Sequence, residues 1–373
     1  MIIRNANVYT EDHTFRKLDI EFDEKIRSLG ETTDGESLDA EGRYLVPGFI
    51  DIHTHGANGA DPDMGTTEAL DRMAEYYAKN GVTSFCATTV TMPEDVLTKA
   101  MHAVRDYERK DDHAKCIGAH LEGPFICEAK KGGMNPAYIH KPDVEMLKRL
   151  QAESGGRVVS CIVAPDVEGG LEFIEEAKDI CSISLGHTMA DYATAMEAYA
   201  RGASRATHLY NAMPGFLHRA PGVIGAAMDS GAYAELICDG HHVDPCIIRS
   251  TFRSFPGRVV IISDSLLCAG MPEGYEFETG NQRMRVINGA AFLPNGTLTG
   301  SVISVGHCVK NVIEYGIAPE EAMQAASENP AKAVGTFHDR GSITVGKCAD
   351  LVLLNPDYTV SEVFIDGKKI RRS

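Results

Sequence analysis

The stretch PGFIDIHTHG, residues 47–56, carries an apolar run that ends in His53 and His55, two positions apart. Side chains on a β-strand alternate between its faces, so a strand here projects both imidazoles to the same side. Such a pair can grip one cation. Further apolar runs follow at 83–89, 116–120, 158–163, 182–185, 205–209, 234–238 and 259–263, and between them lie segments such as 67–80, 191–201 and 319–326 whose apolar residues recur at helical spacing. Strand and helix in alternation mean parallel strands joined by helical crossovers. A doubly wound sheet shares that pattern. With the run at 49–52 the strands number about eight, as a closed barrel requires, and the reading is α/β, a (β/α)8 TIM-like barrel.

Short alternating stretches also occupy both ends, around 2–20 and 350–370. Neither end alone can bury a sheet. The expectation is one small β-sandwich domain formed by residues 1–46 plus 336–373, with a metal-dependent catalytic barrel, 47–335, inserted between them.

The 373 residues, 43% of them hydrophobic, suffice for a large core. Acidic residues number 53 against 36 basic ones, and the net charge of −17 argues against a nucleic-acid or anionic-membrane partner. An anionic substrate therefore needs local cationic groups. The opening MIIRNANVYT reads as a strand and not as an export signal, no apolar run is long enough to span a bilayer, and the ten cysteines form no CxxC pair. Reduced thiols and a cytoplasmic location are expected.

One histidine pair is weak evidence, since an HxH is more often a core or surface pair. Here it has company. Glu122 follows GAHL, His187 ends SISLG, His208 ends SRAT and Asp264 ends VVIIS, each one step beyond an apolar run. Barrel enzymes build their sites at these C-terminal strand ends. A lone carboxylate there is usually a helix cap or a loop charge, but recurrence across successive strands points to a shared centre. Imidazole and carboxylate ligands suit Zn²⁺ or Fe²⁺, and a metal with an open position lowers the pKa of its bound water to about 7. Amide hydrolysis also needs a proton for the departing nitrogen, and Asp264 is the candidate carrier.

The motifs PGFIDIHTHG, AHLEGPF, LGHT, THLYNAM, GHHV, IISDS, NGTLTGS and GKCADLVLL, in this order from end to end, resemble the N-acetylglucosamine-6-phosphate deacetylase family of the amidohydrolase superfamily. HxH is shared across the superfamily, whereas HLEGP followed by GHT, THLYNAM and NGTLTGS is specific to the deacetylases. The resemblance implies that Glu122, His187 and His208 ligate the main catalytic metal and that Asp264 is the acid/base. His53 and His55 look like those of members that bind a second metal, bridged by Glu122. It further implies that Asn211 and Ala212 offer backbone amides to the substrate phosphate, that His242 contacts substrate, and that Arg219 in HRAPG reaches a neighbouring active site across a homodimer. Without the resemblance, Arg219 is equally well a surface arginine, His242 a loop histidine packed beside His241, and Lys130 and Lys131 solvated loop charges.

One position departs from the family pattern. Where many members read KKGxHN, with a histidine that polarises the substrate carbonyl, this chain reads KKGGMN and places Met134 there. A thioether donates no hydrogen bond. A second metal held by His53 and His55 can take over as Lewis acid; another donor or a different substrate are the alternatives. Cys127, in the same loop, reads as a loop thiol. The expected reaction is deacetylation of N-acetylglucosamine 6-phosphate to glucosamine 6-phosphate and acetate. Rival readings are a related amino sugar (N-acetylgalactosamine 6-phosphate or a non-phosphorylated form), another amidohydrolase of the dihydropyrimidinase or adenine deaminase kind, and a noncatalytic sugar-phosphate binding barrel.

Overall fold

A computed structural model describes residues 1–279 and 282–371. Eight parallel strands run in chain order round the barrel: Phe49–Thr54, Val82–Thr89, Lys115–Leu121, Val158–Val163, Ser182–Leu185, Arg205–Ala206, Tyr233–Ile237 and Val259–Ile262. All eight apolar runs are strands. The sixth is the shortest: the 205–209 run pairs only at Arg205 and Ala206, because His208 and Tyr210 take positive φ, which ends a strand. First and eighth strands meet through polar groups, with Ser263 Oγ donating to buried Asp51 Oδ2 at 2.5 Å and the Asp264 amide donating to the His53 carbonyl at 3.0 Å.

The helices between strands follow their sequence periodicity. Thr67–Lys79 opens on Thr66, whose side chain accepts from the Ala69 amide, and buries Leu70, Met73, Ala74 and Tyr77 on one face. Tyr192–Arg201 is capped in the same way by Asp191, and Pro319–Ala326 begins on proline, whose missing N–H costs nothing there.

The two termini share one mixed sheet of eight strands. Ile2–Tyr9, Phe15–Phe22, Ile26–Leu29, Ser37–Asp39 and Tyr44–Pro47 come from the N-terminal side, and Leu351–Leu354, Val360–Ile365 and Lys368–Lys369 from the C-terminal side. The seam is Tyr44–Pro47 against Leu351–Leu354, antiparallel. Alternation does the sorting. Leu45, Leu351, Leu353 and Phe364 enter a core private to this sheet, while Val46, Val352, Leu354 and Val363 face the barrel core.

A three-stranded antiparallel sheet, Glu276–Thr279, Gln282–Ile287 and Ala290–Phe292, lies after the eighth barrel strand. The sequence reading left it out, although QRMRVI at 282–287 alternates exposed and buried side chains.

Lys115, at the start of the third barrel strand, fastens barrel to terminal sheet: its Nζ lies 2.9 Å from Asp350 Oδ1 and 2.6 Å from Asp366 Oδ1. Asp350 is 6% exposed. Lys115→Met strands a buried carboxylate and should cost about 3 kcal/mol. The check is a lower urea midpoint at unchanged slope.

Candidate metal centre and pocket

The C-terminal strand ends deliver six side chains to one point. His53 and His55 come from the first strand, Glu122 follows the third, His187 the fifth, His208 the sixth and Asp264 the eighth. All are buried. The chain turns sharply to place them. His187, His208 and Asp264 have φ of 47°, 30° and 48°, a region L-residues occupy at a cost of about 1–3 kcal/mol each, and such outliers gather where function holds them. Gly123, next to Glu122, has φ 92°, and a Cβ there would sit 2.1 Å from Thr91 Oγ1.

Glu122 is the shared member. Its Oε1 lies 3.2 Å from His187 Nε2, 3.0 Å from His208 Nε2 and 3.3 Å from His53 Nε2, while Oε2 lies 2.9 Å from His55 Nε2. Asp264 Oδ1 stands 3.2 Å from His55 Nε2. The donor atoms fall into two groups, His53, His55, Glu122 and Asp264 on one side and Glu122, His187 and His208 on the other, each within 4.8 Å.

Hydrogen bonds outside the cluster set the tautomers. His187 Nδ1 donates to the Lys130 carbonyl at 2.7 Å, and His55 Nδ1 to the Thr88 carbonyl at 3.2 Å. Their Nε2 atoms therefore point inward and are the nitrogens left to bind a metal once any proton on them is displaced. Nε2 of His187 and His208 are 3.1 Å apart, and those of His53 and His55 3.3 Å. Two nitrogens bound tetrahedrally to one zinc at about 2.0–2.1 Å are about 3.3 Å apart, so the residues fit a metal.

The electrostatics agree. Burial works against charge on His55, but the Glu122 carboxylate outweighs it and pushes the imidazole up to about 10; His53 is raised well above its ordinary value for the same reason. Burial works against Glu122 ionising too, yet His53 and His55 hold its carboxyl well below the usual range. The cluster attracts positive charge, as protons or as metal.

A sequence model of the amidohydrolase family matches residues 44–370. The chain belongs to the amidohydrolase family. It is similar to the N-acetylglucosamine-6-phosphate deacetylase of Bacillus subtilis strain 168, 38% identical over 325 residues that cover 85% of this chain and 82% of the relative. It is also 34% identical to an N-acetylgalactosamine-6-phosphate deacetylase of Escherichia coli O157:H7, over 88% of each chain. The crystal structure of N-acetylglucosamine-6-phosphate deacetylase from Pasteurella multocida superposes with a TM-score of 0.92 at 30% identity, covering 99% of this chain and 98% of the other.

In this amidohydrolase a pocket of about 220 Å³ opens above the cluster, and His55, Glu122, His187, His208 and Asp264 line it. Asn211, Ala212, His242 and Met134 line it as well. The Asn211 amide donates to the His208 carbonyl at 2.9 Å, closing the turn that aims His208, and the Ala212 amide lacks an acceptor among the described residues. His242 is held at both ring nitrogens, Nδ1 by Asp239 Oδ2 at 2.6 Å and Nε2 by the Thr299 carbonyl. Burial works against its charge, but Asp239 prevails and raises the imidazole pKa. Met134 Sδ receives the Thr91 amide at 3.4 Å.

Arg219 is exposed and does not line the pocket of its own chain. Lys130 and Lys131 are tied in rather than merely solvated: Lys130 Nζ donates to the Met213 carbonyl at 3.0 Å and Lys131 Nζ to the Met134 carbonyl at 3.2 Å. Cys127 stands in neither metal group, and its amide donates to the His187 carbonyl at 2.9 Å. Thr279 and Met284, from the three-stranded sheet, complete one wall. They escaped the sequence reading because that sheet did.

Because Glu122 touches both groups, Glu122→Gln should deplete metal from both, whereas His187→Asn should deplete one; metal analysis after equilibrium dialysis distinguishes them. Metal uptake should release protons at pH 7 and weaken as pH falls, since ion and proton compete for the same nitrogens. Titration calorimetry in buffers of different ionisation enthalpy checks this.

Proposed function

We propose that this amidohydrolase deacetylates N-acetylglucosamine 6-phosphate to glucosamine 6-phosphate and acetate, using two divalent ions, Zn²⁺ or Fe²⁺. The observation that carries the reading is Glu122, one carboxylate shared by two ligand groups at the floor of a pocket with Asp264 at its wall. Bound ions would supply a water of lowered pKa and a Lewis acid for the amide carbonyl. Glu122, His187 and His208 would hold the main ion, and His53 and His55 the second.

Asp264 then works as the proton carrier. Burial raises its carboxyl pKa, but the hydrogen bond from His55 and the charges of His53 and His55 outweigh this, so the carboxyl is held low and poised as a base. It accepts the proton of the attacking water and returns it to the amide nitrogen as the tetrahedral intermediate collapses, because an amide anion is too basic to leave. Met134 cannot polarise the carbonyl, and its sulfur is already engaged by Thr91. That duty falls to the second site.

The Ala212 amide and His242 are assigned to the sugar phosphate, with Asn211 shaping the turn that presents Ala212. Arg219 is assigned to the active site of a second subunit in a homodimer: its loop is exposed, with Phe216 52% and Leu217 60% exposed beside it, and a guanidinium suits a phosphate. All ten cysteines are free and seven of them are buried, which suits the cytoplasm. No helix among the described residues is long and apolar enough to cross a membrane.

The galactosamine epimer is the second reading, favoured by the similarity to the E. coli enzyme. Metal-loaded protein offered glucosamine, galactosamine and mannosamine N-acetyl derivatives, each with and without the 6-phosphate, should release acetate fastest from N-acetylglucosamine 6-phosphate. Binding without acetate would establish a noncatalytic barrel instead. Asp264→Asn should lower kcat by roughly 10²- to 10⁴-fold. Withdrawal of the second ion alone should abolish turnover, and unchanged turnover would return carbonyl polarisation to a protein donor.

A further inference from the structure

Below the metal centre, a line of buried polar side chains that the mechanism does not use runs through the barrel interior. His53 Nδ1 faces Glu235 Oε2 at 3.3 Å, and Glu235 Oε1 accepts from Arg205 Nε at 2.8 Å. Arg205 Nη1 donates to the Ala333 carbonyl at 3.0 Å and to Ser182 Oγ, and Nη2 donates to Ser160 Oγ. Both Arg205 and Glu235 are 0% exposed, and Arg205 heads the fully buried side chains by volume. Neither residue lines the pocket.

Two charges buried in a barrel core are an expensive way to fill space, since apolar side chains of similar volume often serve stability as well or better. Their arrangement points elsewhere. A carboxylate paired with a guanidinium only accepts hydrogen bonds, so the His53 nitrogen facing it must carry the hydrogen. The other nitrogen, Nε2, is then the one left to bind a metal, and it is directed at His55 Nε2 and Glu122. His55 and His187 obtain the same orientation from main-chain carbonyls, which no substitution removes. His53 depends on a side chain.

We propose that the buried Arg205–Glu235 pair is a positioning device that holds His53 as its Nδ1–H tautomer and thereby governs occupancy of the second ion site. This rests on the two-ion reading above. Outer partners of ligating histidines typically contribute 10- to 100-fold in metal affinity.

Two double variants separate positioning from bulk stability. Arg205→Met/Glu235→Leu removes charge and acceptor together at similar volume, and Arg205→Met/Glu235→Gln restores a neutral acceptor. Zinc binding is followed by calorimetry and metal analysis on each full-length protein. The first variant should bind one ion with the parent's Kd and the second ion 10- to 100-fold more weakly; the second variant should recover most of that loss. Parent-like uptake of both ions by the first variant, or equal weakening of both sites, overturns the proposal. A parent that binds only one zinc ion overturns instead the two-ion reading beneath it. Should neither variant fold, long-range ¹⁵N–¹H correlation on histidine-labelled, zinc-loaded parent decides: a His53 with hydrogen on Nδ1 and metal on Nε2 supports the proposal, and metal on Nδ1 refutes it.

Discussion

Imidazole nitrogens crowded together around one shared carboxylate are the constraint on which the rest of this structure depends. Nε2 atoms of His187 and His208 approach to 3.1 Å around a Glu122 oxygen, and those of His53 and His55 to 3.3 Å beside the other. Left to themselves such groups repel or draw protons, as the raised pKa values of His53 and His55 show. A divalent cation in each set would resolve its repulsion, and a centre charged in this way would activate water and an amide carbonyl.

Holding that constellation takes a rigid frame. Ligands from separate strands stay within hydrogen-bond distance because the six inner strands are paired on both sides and the first and eighth meet through Asp51 and Ser263. The positive φ at His187, His208 and Asp264 is tolerated for the same reason: neighbouring strands over-determine those turns. The terminal sheet adds stiffness from outside, packing Val352 and Leu354 on the barrel core while Leu351 and Leu353 fill its own.

The pocket walls follow a different logic. The Ala212 amide lacks an acceptor among the described residues, the Asn211 amide beside it closes the turn on His208, and His242 is clamped by Asp239 and Thr299. Met134 is clamped as well, through Thr91. The site is thus preorganised on the sides that would meet sugar and acyl group, and its chemistry is concentrated at the metal floor.

Local pattern was enough to read the eight strands, the helices at 67–79, 192–201 and 319–326, and the six side chains that converge at the strand ends, because each lies at or just past the end of an apolar run and strand periodicity is a property of neighbouring residues. The short sixth strand, the sheet at 276–292, the engaged Asn211 amide and the interior roles of Arg205 and Glu235 were not legible that way. The Asn211 amide closes on His208 three positions back, the sixth strand is cut short by positive φ at His208 and Tyr210, and the small sheet is a local meander, none of which apolar periodicity marks. Arg205 and Glu235, by contrast, depend on partners far along the chain: Arg205 meets Ala333 across 128 positions, and Glu235 meets His53 across 182. The amino-acid order alone therefore determined which side chains end the strands and what chemistry they favour. Only folding decided which atoms face one another and which hydrogen bonds are already taken, since distance in space is not a function of distance along the chain.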